Sequence, residues 1–407
     1  MSKILISLNA GSSSLKCSVF YLQGLKEIGW IHVDRIGEGS VAHLHECEGR
    51  DITLPLDNPT LKGAVEATIK LLRSIPATDD LKNIAGVGHR VVQGGNLFSG
   101  SVLFSDKIYE KILSLAPLAP LHNPANLTCY SEFTKLLPSS VGQVAVFDTA
   151  LFHSLPDEER TLPISYDLAE RYSIYRYGAH GISHSYLIRK AQETLGKKKT
   201  SRTITMHIGS GSSLTAFRYG NCIATSMGLT PLGGIVMGTR TGDMDPSVVT
   251  YLAERMNMSP SETNYLLTRR GGLLGISGVS NDCRDLVKAA DEGNYRAELA
   301  LRIFTSRIAD FIGAYTIKLG GLDALVFSGG VYEKSTRLRA ALVAKIGPAL
   351  GFKLDEVKNS EIDPSVGGVI STSDSTITGV VIPTDEERMI AYETAMVLGL
   401  DSEINLN

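Results

Sequence analysis

Residues 3–22 read KILISLNAGSSSLKCSVFYL, and this stretch decides the kind of fold that we expect. Its two apolar runs are rich in β-forming residues and are separated by small polar residues. They therefore predict a strand, a tight turn and a second strand. The same order returns in residues 202–221, RTITMHIGSGSSLTAFRYGN. Leu15 and Leu214 occupy matching positions 199 residues apart, close to half of the 407-residue chain, which favours a duplicated unit.

Helical patterns lie between these hairpins. Residues 61–75 and 296–319 carry apolar residues at helical spacing. Residues 385–398 begin with acids and follow Thr384, which we expect to be the N-cap. A further glycine turn, in DALVFSGGVYEKS (323–335), follows a strand-like run and precedes a helical pattern. Strands that alternate with helices of this length predict an α/β protein with mixed sheets and flanking helices.

The length of 407 residues predicts more than one domain, because a chain of this size exceeds a single hydrophobic core. We place the main boundary after the strand-like run QVAVFD (143–148), which gives domains of residues 1–150 and 151–385. We expect residues 386–407 to pack back on the first domain.

The composition is typical of a globular protein, with 43% hydrophobic and 20% charged residues. A net charge of −3 gives no basic footprint for nucleic acid or for an anionic membrane. No apolar stretch approaches the ~18 residues of a membrane span, and the N-terminal run is too short for a signal peptide. Five scattered cysteines without a CxxC pair favour a reducing cytoplasm. His43, His45 and Cys47 alternate, which favours one face of an exposed strand over a zinc site.

Two arginines lie in glycine-rich runs, Arg90 in GVGHRVVQGG and Arg240 in PLGGIVMGTRTGDMDP. A guanidinium is always charged and can bind two oxygens at once, so it suits carboxylate and phosphate groups. Glycines beside it allow the backbone to approach a ligand closely. The pair predicts an anion pocket built from two halves of the protein. For either arginine taken separately, a surface residue beside a turn is the alternative.

Two turns have the parts of a phosphate cradle. NAGSSSLK (9–16) offers N–H groups, hydroxyls and a lysine, and HIGSGS (207–212) offers a second set of small residues. Neither is the GxxxxGK[ST] loop, because a strand rather than a helix follows. The two turns together predict a nucleoside triphosphate bound between two domains. A serine-rich hairpin turn is the alternative for each.

Several single polar residues are candidates in rigid or glycine-rich surroundings. His122 lies between two prolines, Asp148 ends a strand and His180 is flanked by glycines. Asp282 and Glu386 follow turns and could bind ribose or Mg²⁺. Taken singly, the histidines are also explained as hydrogen-bonded structural groups, and the acids as turn or cap residues.

Nine motifs follow one another along the chain, namely NAGSSSLK, HRVVxGG, APLHNP, VFDTA, YGxHGISH, TSMGLTPLxGxVMGTRTGDMDP, GLLGISGVSND, DALVFSGG and VIPTxEE. Together they resemble the acetate kinase family, the short-chain carboxylate kinases that include propionate kinase. The resemblance implies an actin-like fold with two duplicated α/β domains around a cleft. It also implies a homodimer that uses ATP and Mg²⁺, with Mn²⁺ as an alternative, to phosphorylate a short carboxylate reversibly. We expect the domain of residues 151–385 to bind the nucleotide and to form the dimer.

The resemblance implies roles for individual residues. Arg90 and Arg240 would hold the carboxylate and the transferring phosphoryl group, with His122 beside them. His180 would hydrogen-bond the phosphoryl group in the transition state. Asp148 is often assigned an acid/base role in the family, but a carboxylate substrate is already ionised at neutral pH, so we favour a role in orienting Arg90 or His180.

The remaining implied residues form three sets. The apolar pocket for the acyl group would consist of Val92, Leu121 and Pro231, with Lys16 near the substrate. Mg²⁺ would be placed by Asn9 and Glu386, with the phosphate-binding residues Ser12, Ser14 and Lys16 nearby. ATP would be bound by His207, Ile208, Gly209, Ser210, Gly211, Asp282, Cys283, Arg284, Gly330, Val331, Tyr332, Glu333 and Lys334.

The chain departs from the family pattern at several positions. Ala179 replaces a common Phe before His180, which predicts a roomier site that accepts propionate or longer acids beside acetate. Gln93 and Ser210 replace the usual His and Asn. Tyr332 and Lys334 lie where adenine is expected, so the nucleotide preference stays open, with Tyr332 stacking on the base or crowding it.

Two other functions are alternatives to a carboxylate kinase. A sugar or alcohol kinase of the same fold needs a carboxylate base facing a hydroxyl, and two arginines in the pocket argue against it. A non-catalytic nucleotide sensor has no need of Arg90, Arg240, His180 and Asp148 together.

Overall fold

The computed structural model describes residues 3–11, 13–37 and 39–404, and it consists of two compact units. The first comprises the described residues of Met1–His153 and Asp385–Asn407, and the second comprises Ser154–Thr384. No helix of the described residues is both long and apolar enough to span a membrane. The cytoplasmic location inferred from the cysteines stays a prediction.

The first unit has, in its described residues, an eight-stranded mixed sheet in the order β5-β4-β3-β2-β1-β6-β8-β7. β1 is antiparallel to β2 and parallel to β6, so the predicted N-terminal hairpin is confirmed. The strands are β1 (Ile4–Ala10), β2 (Ser14–Tyr21), β3 (Glu27–Asp34), β4 (Val41–Glu46), β5 (Asp51–Pro55), β6 (Ile84–Val91), β7 (Val102–Leu103) and β8 (Gly142–Phe147), and the helices before residue 150 are α1 (Leu61–Leu72), α2 (Asp106–Ser114) and α3 (Asn123–Leu136).

The second unit contains a six-stranded sheet, in the order β11-β10-β9-β12-β14-β13. β9 is antiparallel to β10 and parallel to β12, which repeats the arrangement of β1 with β2 and β6. The strands are β9 (Arg202–Ile208), β10 (Ser212–Arg218), β11 (Asn221–Thr225), β12 (Ala324–Ser328), β13 (Gly368–Val369) and β14 (Thr378–Val381).

Helices flank this second sheet. The predicted long helix is present as α11, and the glycine turn after β12 is shaped as the short helix α12 rather than as a simple turn. The helices are α4 (Asp157–Arg160), α5 (Tyr166–Tyr172), α6 (Gly181–Leu195), α7 (Pro246–Met256), α8 (Pro260–Arg269), α9 (Gly272–Ser277), α10 (Cys283–Asp291), α11 (Tyr295–Leu319), α12 (Gly329–Lys334), α13 (Thr336–Leu350) and α14 (Glu356–Glu361).

The last helix, α15 (Glu386–Val397), belongs to the first unit and packs on β1, β6 and β8. The contact is close, because a Cβ atom added at Gly88 would lie 2.1 Å from Thr394 Oγ1. Thr384 was expected to be the N-cap of this helix, and that prediction is wrong. Asp385 is the N-cap, since its Oδ1 accepts from Arg388 N–H at 2.9 Å.

Candidate functional site

The first cluster of predicted site residues lies where three strands of the first sheet end. β1, β6 and β8 are parallel to one another, so their carboxyl ends share one edge. Arg90, near the end of β6, donates from Nη1 to Asn9 Oδ1 at 3.1 Å and from Nη2 to Asp148 Oδ2 at 2.9 Å. The structure therefore brings Asn9, Arg90 and Asp148 together in the first unit.

Arg90 combines a fixed charge with a free donor. Burial opposes its charge, but the carboxylates of Asp148, Glu386 and Glu387 outweigh that effect and raise the pKa of Arg90. Its Nε is buried and has no hydrogen-bond partner in the described part of the chain. A buried N–H group of this kind normally has an acceptor, so the Nε–H of Arg90 suits an anionic ligand.

The predicted metal-binding residues Asn9 and Glu386 lie in the same unit. Burial raises the pKa of Glu386, Asp148 raises it further, and Arg90 and Lys16 lower it. Among the described residues, no group of three or more His, Cys, Asp or Glu side chains could hold a metal. Mg²⁺ usually binds one or two protein oxygens together with substrate phosphates and water, so Asn9 and Glu386 fit an ion that a phosphate completes.

The remaining residues of the first turn are placed by the β1–β2 hairpin. Lys16 lies opposite Asn9 in the strand register, which puts both side chains on one face of the sheet. Ser14 begins β2 and is half-buried. Ser12 lies outside the described residues.

Two asparagines of α3 hold the chain that follows Arg90, and the sequence reading missed both. Asn126 accepts from Val92 N–H at 3.2 Å and donates to the carbonyl of Ala10 at 2.7 Å. Asn123 accepts from Gln93 N–H at 3.1 Å and donates to the carbonyl of Gln93 at 3.0 Å. Both are buried polar residues on a helix face shared with Leu127 and Phe133, and that interruption of an apolar face is the signal that could have identified them.

The residues predicted for the acyl pocket differ in exposure. Val92 is half-buried, whereas Leu121 is 61% exposed. His122 precedes α3 and is exposed. Pro231 lies in the second unit, where its carbonyl accepts from Arg240 Nη1 at 3.2 Å.

The second cluster lies in the second unit, around the glycine-rich turn after β9. His180 takes a left-handed backbone conformation (φ 60°) immediately before α6. Its Nδ1 lies 2.9 Å from Ser213 Oγ, and its ring centre lies 4.4 Å from that of His207. A Cβ atom on Gly211 would lie 3.3 Å from His180 Nε2 and 3.5 Å from Arg240 Nη1. His180, Arg240 and the turn therefore converge.

Among the described residues, the acceptors that bind Arg240 are uncharged. Its Nη1 donates to the carbonyl of Pro231 and lies 3.7 Å from Met237 Sδ. Within the described residues no carboxylate forms an ion pair with Arg240 or shifts its pKa. Burial lowers the pKa of Arg240, and the charge of Arg269 lowers it further. A guanidinium that is partly desolvated and has no counter-ion favours the binding of an anion.

A cavity of about 480 Å³ opens beside the same turn. Eight of the predicted nucleotide-binding residues line it, and the sequence reading missed Val287 and Ser335. Asp282 caps α10 and binds Arg284, and that ion pair lowers the pKa of Asp282. The lining consists of Gly209, Ser210, Asp282, Cys283, Arg284, Val287, Gly330, Val331, Lys334 and Ser335.

Five predicted ATP-binding residues do not line this cavity, namely His207, Ile208, Gly211, Tyr332 and Glu333. Tyr332 is 1% exposed, its ring packs edge-on against Phe327, and burial raises its pKa. Stacking of Tyr332 on a nucleobase, or crowding of the base by it, does not fit this burial. Glu333 is bound to backbone groups of its own unit. Tyr332 and Glu333 are one and two positions after Val331, and on a helix such neighbours lie on different faces. Their side chains therefore point away from the cavity that Val331 lines.

The chain is similar to a known protein family and to known enzymes. The model described as the acetokinase family matches residues 3–392. An acetate kinase of Clostridium novyi is 43% identical over 400 residues, which cover 97% of this chain and 98% of that protein. An acetate kinase of Thermotoga maritima is 41% identical over 395 residues, covering 96% and 98% of the two chains.

Solved structures show the same fold. The acetate kinase of Porphyromonas gingivalis matches with a TM-score of 0.91 and 37% identity, over 98% of this chain and 100% of the other. A propionate kinase of Francisella tularensis matches with a TM-score of 0.90 and 37% identity, over 97% and 100%. These matches and the two mixed sheets confirm the predicted α/β fold.

Proposed function

Because the chain belongs to the acetokinase family, we propose that it transfers the γ-phosphoryl group of ATP reversibly to acetate, which yields acetyl phosphate and ADP. The observation that carries the proposal is the set of hydrogen-bond partners of Arg90 and Arg240. Arg90 keeps a buried Nε–H without a partner among the described residues, and Arg240 is bound by uncharged acceptors. Each arginine can therefore donate to an oxygen of an anionic substrate without breaking an ion pair or hydrogen bond that the same N–H group already makes.

In the first unit, Asp148 acts on Arg90 rather than on the substrate. Its carboxylate accepts from Nη2 of Arg90, and its side chain is 2% exposed. Acetate is ionised at neutral pH, so the reaction needs no strong base. The ion pair fixes the plane of the guanidinium and leaves Nε–H for the substrate, which is an orienting role.

In the second unit, Arg240 and His180 stabilise the phosphoryl group in the transition state. Phosphoryl transfer needs little covalent help, so the placement of positive charge and donors on the equatorial oxygens supplies most of the acceleration. His180 Nδ1 lies 2.9 Å from Ser213 Oγ, and a Cβ atom on Gly211 would lie 3.3 Å from His180 Nε2 and 3.5 Å from Arg240 Nη1. The alignment of both groups on one turn suits contact with one phosphoryl group.

The nucleotide occupies the cavity beside this turn. Val287 and Val331 supply aliphatic walls for a base, and the N–H groups of the glycine turn suit phosphate oxygens. Arg284 and Lys334 add positive charge at the rim. Asn9 and Glu386 would hold Mg²⁺, whose chemistry when bound is the neutralisation of phosphate charge.

Ala179 supports acceptance of propionate in addition to acetate. Its small side chain is 5% exposed and clusters with Met227 and Met237, whose flexible thioethers adapt to extra methylenes. Each pocket methylene is worth ~1–3 kcal/mol, so we expect a modest preference between the acids. Values of kcat/KM for acetate, propionate and butyrate test this, and strict use of acetate contradicts it.

The second unit is the nucleotide-binding and dimer-forming domain, and the first unit is the N-terminal actin-like domain. No residue of α7 is buried, and Tyr251, Met256 and Tyr265 are 58%, 60% and 57% exposed. Exposed aromatic and methionine side chains in one region are typical of an interface. Light scattering on wild type and Tyr251→Glu tests the homodimer, and a wild-type monomer contradicts it.

A hydroxamate trap for acyl phosphate tests the function itself. Wild-type enzyme is incubated with hydroxylamine, several phosphoryl donors and a panel of short acids. Acyl hydroxamate formed with ATP and acetate supports the proposal. Phosphorylation of a sugar without acyl phosphate points to a sugar kinase, and nucleotide binding without transfer points to a sensor.

A further inference from the structure

Glu333 lies next to residues that line the cavity, yet its carboxylate is directed to the protein backbone. Its Oε1 accepts from Gly329 N–H at 2.8 Å, from the Ser328 hydroxyl at 3.2 Å and from Thr384 N–H at 3.0 Å. Ser328 is fully buried. One oxygen thus joins the end of β12, the start of α12 and the residue that ends the second unit.

The turn held by Glu333 packs directly on the phosphate turn. Gly329 has φ +78°, and a Cβ atom there would lie 2.5–2.7 Å from the backbone of Ile208. Only glycine fits this approach. The next residue, Gly330, lines the cavity. The position of Gly329 therefore sets the spacing between two walls of the nucleotide pocket.

The third donor, Thr384, continues the connection on the other side. Its Oγ1 lies 2.7 Å from Ser183 Oγ, and Ser183 Oγ lies 2.8 Å from His207 Nδ1. Ser183 is fully buried, so these hydrogen bonds are shielded from water. His207 in turn packs against His180.

We propose that Glu333 is a positioning residue of the nucleotide pocket, which holds the Ser328–Gly330 turn against Ile208 and connects it to His207 through Thr384 and Ser183. The proposal rests on the proposed function for its kinetic consequence, and it replaces the expectation that Glu333 binds the nucleotide itself. Removal of the acceptor frees three donors at once. A misplacement of reacting groups by about 1 Å can lower the reaction rate about hundredfold, so the position of this turn matters for catalysis as well as for binding.

The test compares Glu333→Ala with Glu333→Gln, whose amide oxygen keeps the acceptor without the charge. Glu361→Ala, at the exposed end of α14, is the matched control. Hydrogen exchange of the Gly329 and Thr384 amides is measured on the full chain without nucleotide. The Kd for ATP and the KM values for ATP and acetate are measured alongside.

We expect faster exchange at both amides and at least about tenfold weaker ATP binding in Glu333→Ala, with an unchanged KM for acetate. The Kd of Glu333→Gln for ATP should stay within about threefold of wild type, since an amide oxygen still accepts hydrogen bonds.

Unchanged exchange of both amides in Glu333→Ala overturns the proposal. Equal loss of ATP binding in both variants also overturns it, because the charge would then contact the ligand. Failure of wild type itself to bind ATP contradicts the proposed function, whereas the exchange result still decides the role of Glu333 in holding the turn. If Glu333→Ala does not fold, normal exchange and ATP binding in Glu333→Gln support the role and weak binding overturns it.

Discussion

Replacement of Asn126 by alanine tests how the Arg90 cluster is held in place. The Asn126 side chain joins Val92 N–H, two residues after Arg90, to the carbonyl of Ala10, one residue after Asn9, and it is 2% exposed. Alanine leaves a buried carbonyl and a partly buried N–H group without partners. A buried polar group without a hydrogen-bond partner costs about 1–3 kcal/mol, and the loss of a partly exposed hydrogen bond costs about 0.5–1.5 kcal/mol. We therefore expect the free energy of unfolding of the first unit to fall by about 2–4 kcal/mol.

Urea titration followed by tryptophan fluorescence measures the loss of unfolding free energy in the first unit. Trp30 is the only tryptophan of the chain, and it lies on β3 of the first unit. Asn58→Ala removes an exposed asparagine side chain of the same unit and is the control. At a urea concentration where the variant is folded, its turnover should also fall, because the strands that carry Asn9 and Arg90 lose their connection. A loss below about 0.5 kcal/mol, equal to that of a surface change, refutes this reasoning.

Three further predictions follow from buried charges. Burial lowers the pKa of His89 from 6.5 to about 4, so between these pH values the unfolded chain binds more protons than the folded chain. The contribution of neutral His89 to the free energy of unfolding is therefore fully present above pH 6.5, and that free energy falls by about 3 kcal/mol toward pH 4. His89→Phe should remove this fall in urea titrations at pH 7 and 4.5, and an unaltered pH dependence contradicts it. Burial raises the pKa of Glu386 and so disfavours its ionised form in the folded protein. Glu386→Gln should therefore raise the melting temperature at pH 8, the increase should shrink as the pH falls, and activity should drop. A lower melting temperature of this variant at pH 8 counts against the prediction. Arg339 is fully buried, and its guanidinium donates to the backbone oxygens of Tyr332, Glu333 and Asn359 and to Asn359 Oδ1. Arg339→Met leaves these acceptors without their donor, so it should destabilise the second unit by about 2–4 kcal/mol in calorimetry, and a change under about 1 kcal/mol would show that these bonds matter little.

The sequence predicted the parts of the fold that local patterns encode. Alternating and apolar runs around NAGSSSLK and HIGSGS were enough to predict both hairpins, because a strand pattern and a turn of small residues are local features. The structure brings Asn9, Arg90 and Asp148 together because parallel strands share one edge, whereas the sequence related these residues only through the family resemblance. The identification of the family depended on motifs, and composition alone indicated only a globular protein.

The errors and omissions arise where tertiary contacts decide. Thr384 and Asp385 are both good N-cap residues by type, and only the structure shows that Thr384 instead binds Ser183 and Glu333. Tyr332 and Val331 are adjacent, and helix rotation places one in the core and the other on the cavity. Asn126 acts through Val92 and Ala10, and its contact with Ala10 is 116 residues away in the chain, beyond the reach of any local pattern.

The rate of acyl phosphate formation in wild type and Arg240→Ala tests the central claim most directly. Arg307→Ala, on the exposed side of α11, is the control for loss of an arginine. We predict that wild type and the control form acetyl phosphate from ATP and acetate at similar rates. Arg240→Ala should be slower by about a hundredfold to a thousandfold or more, with an unchanged melting temperature. Near-normal turnover in folded Arg240→Ala, or no acyl phosphate from wild type with any donor, contradicts the account.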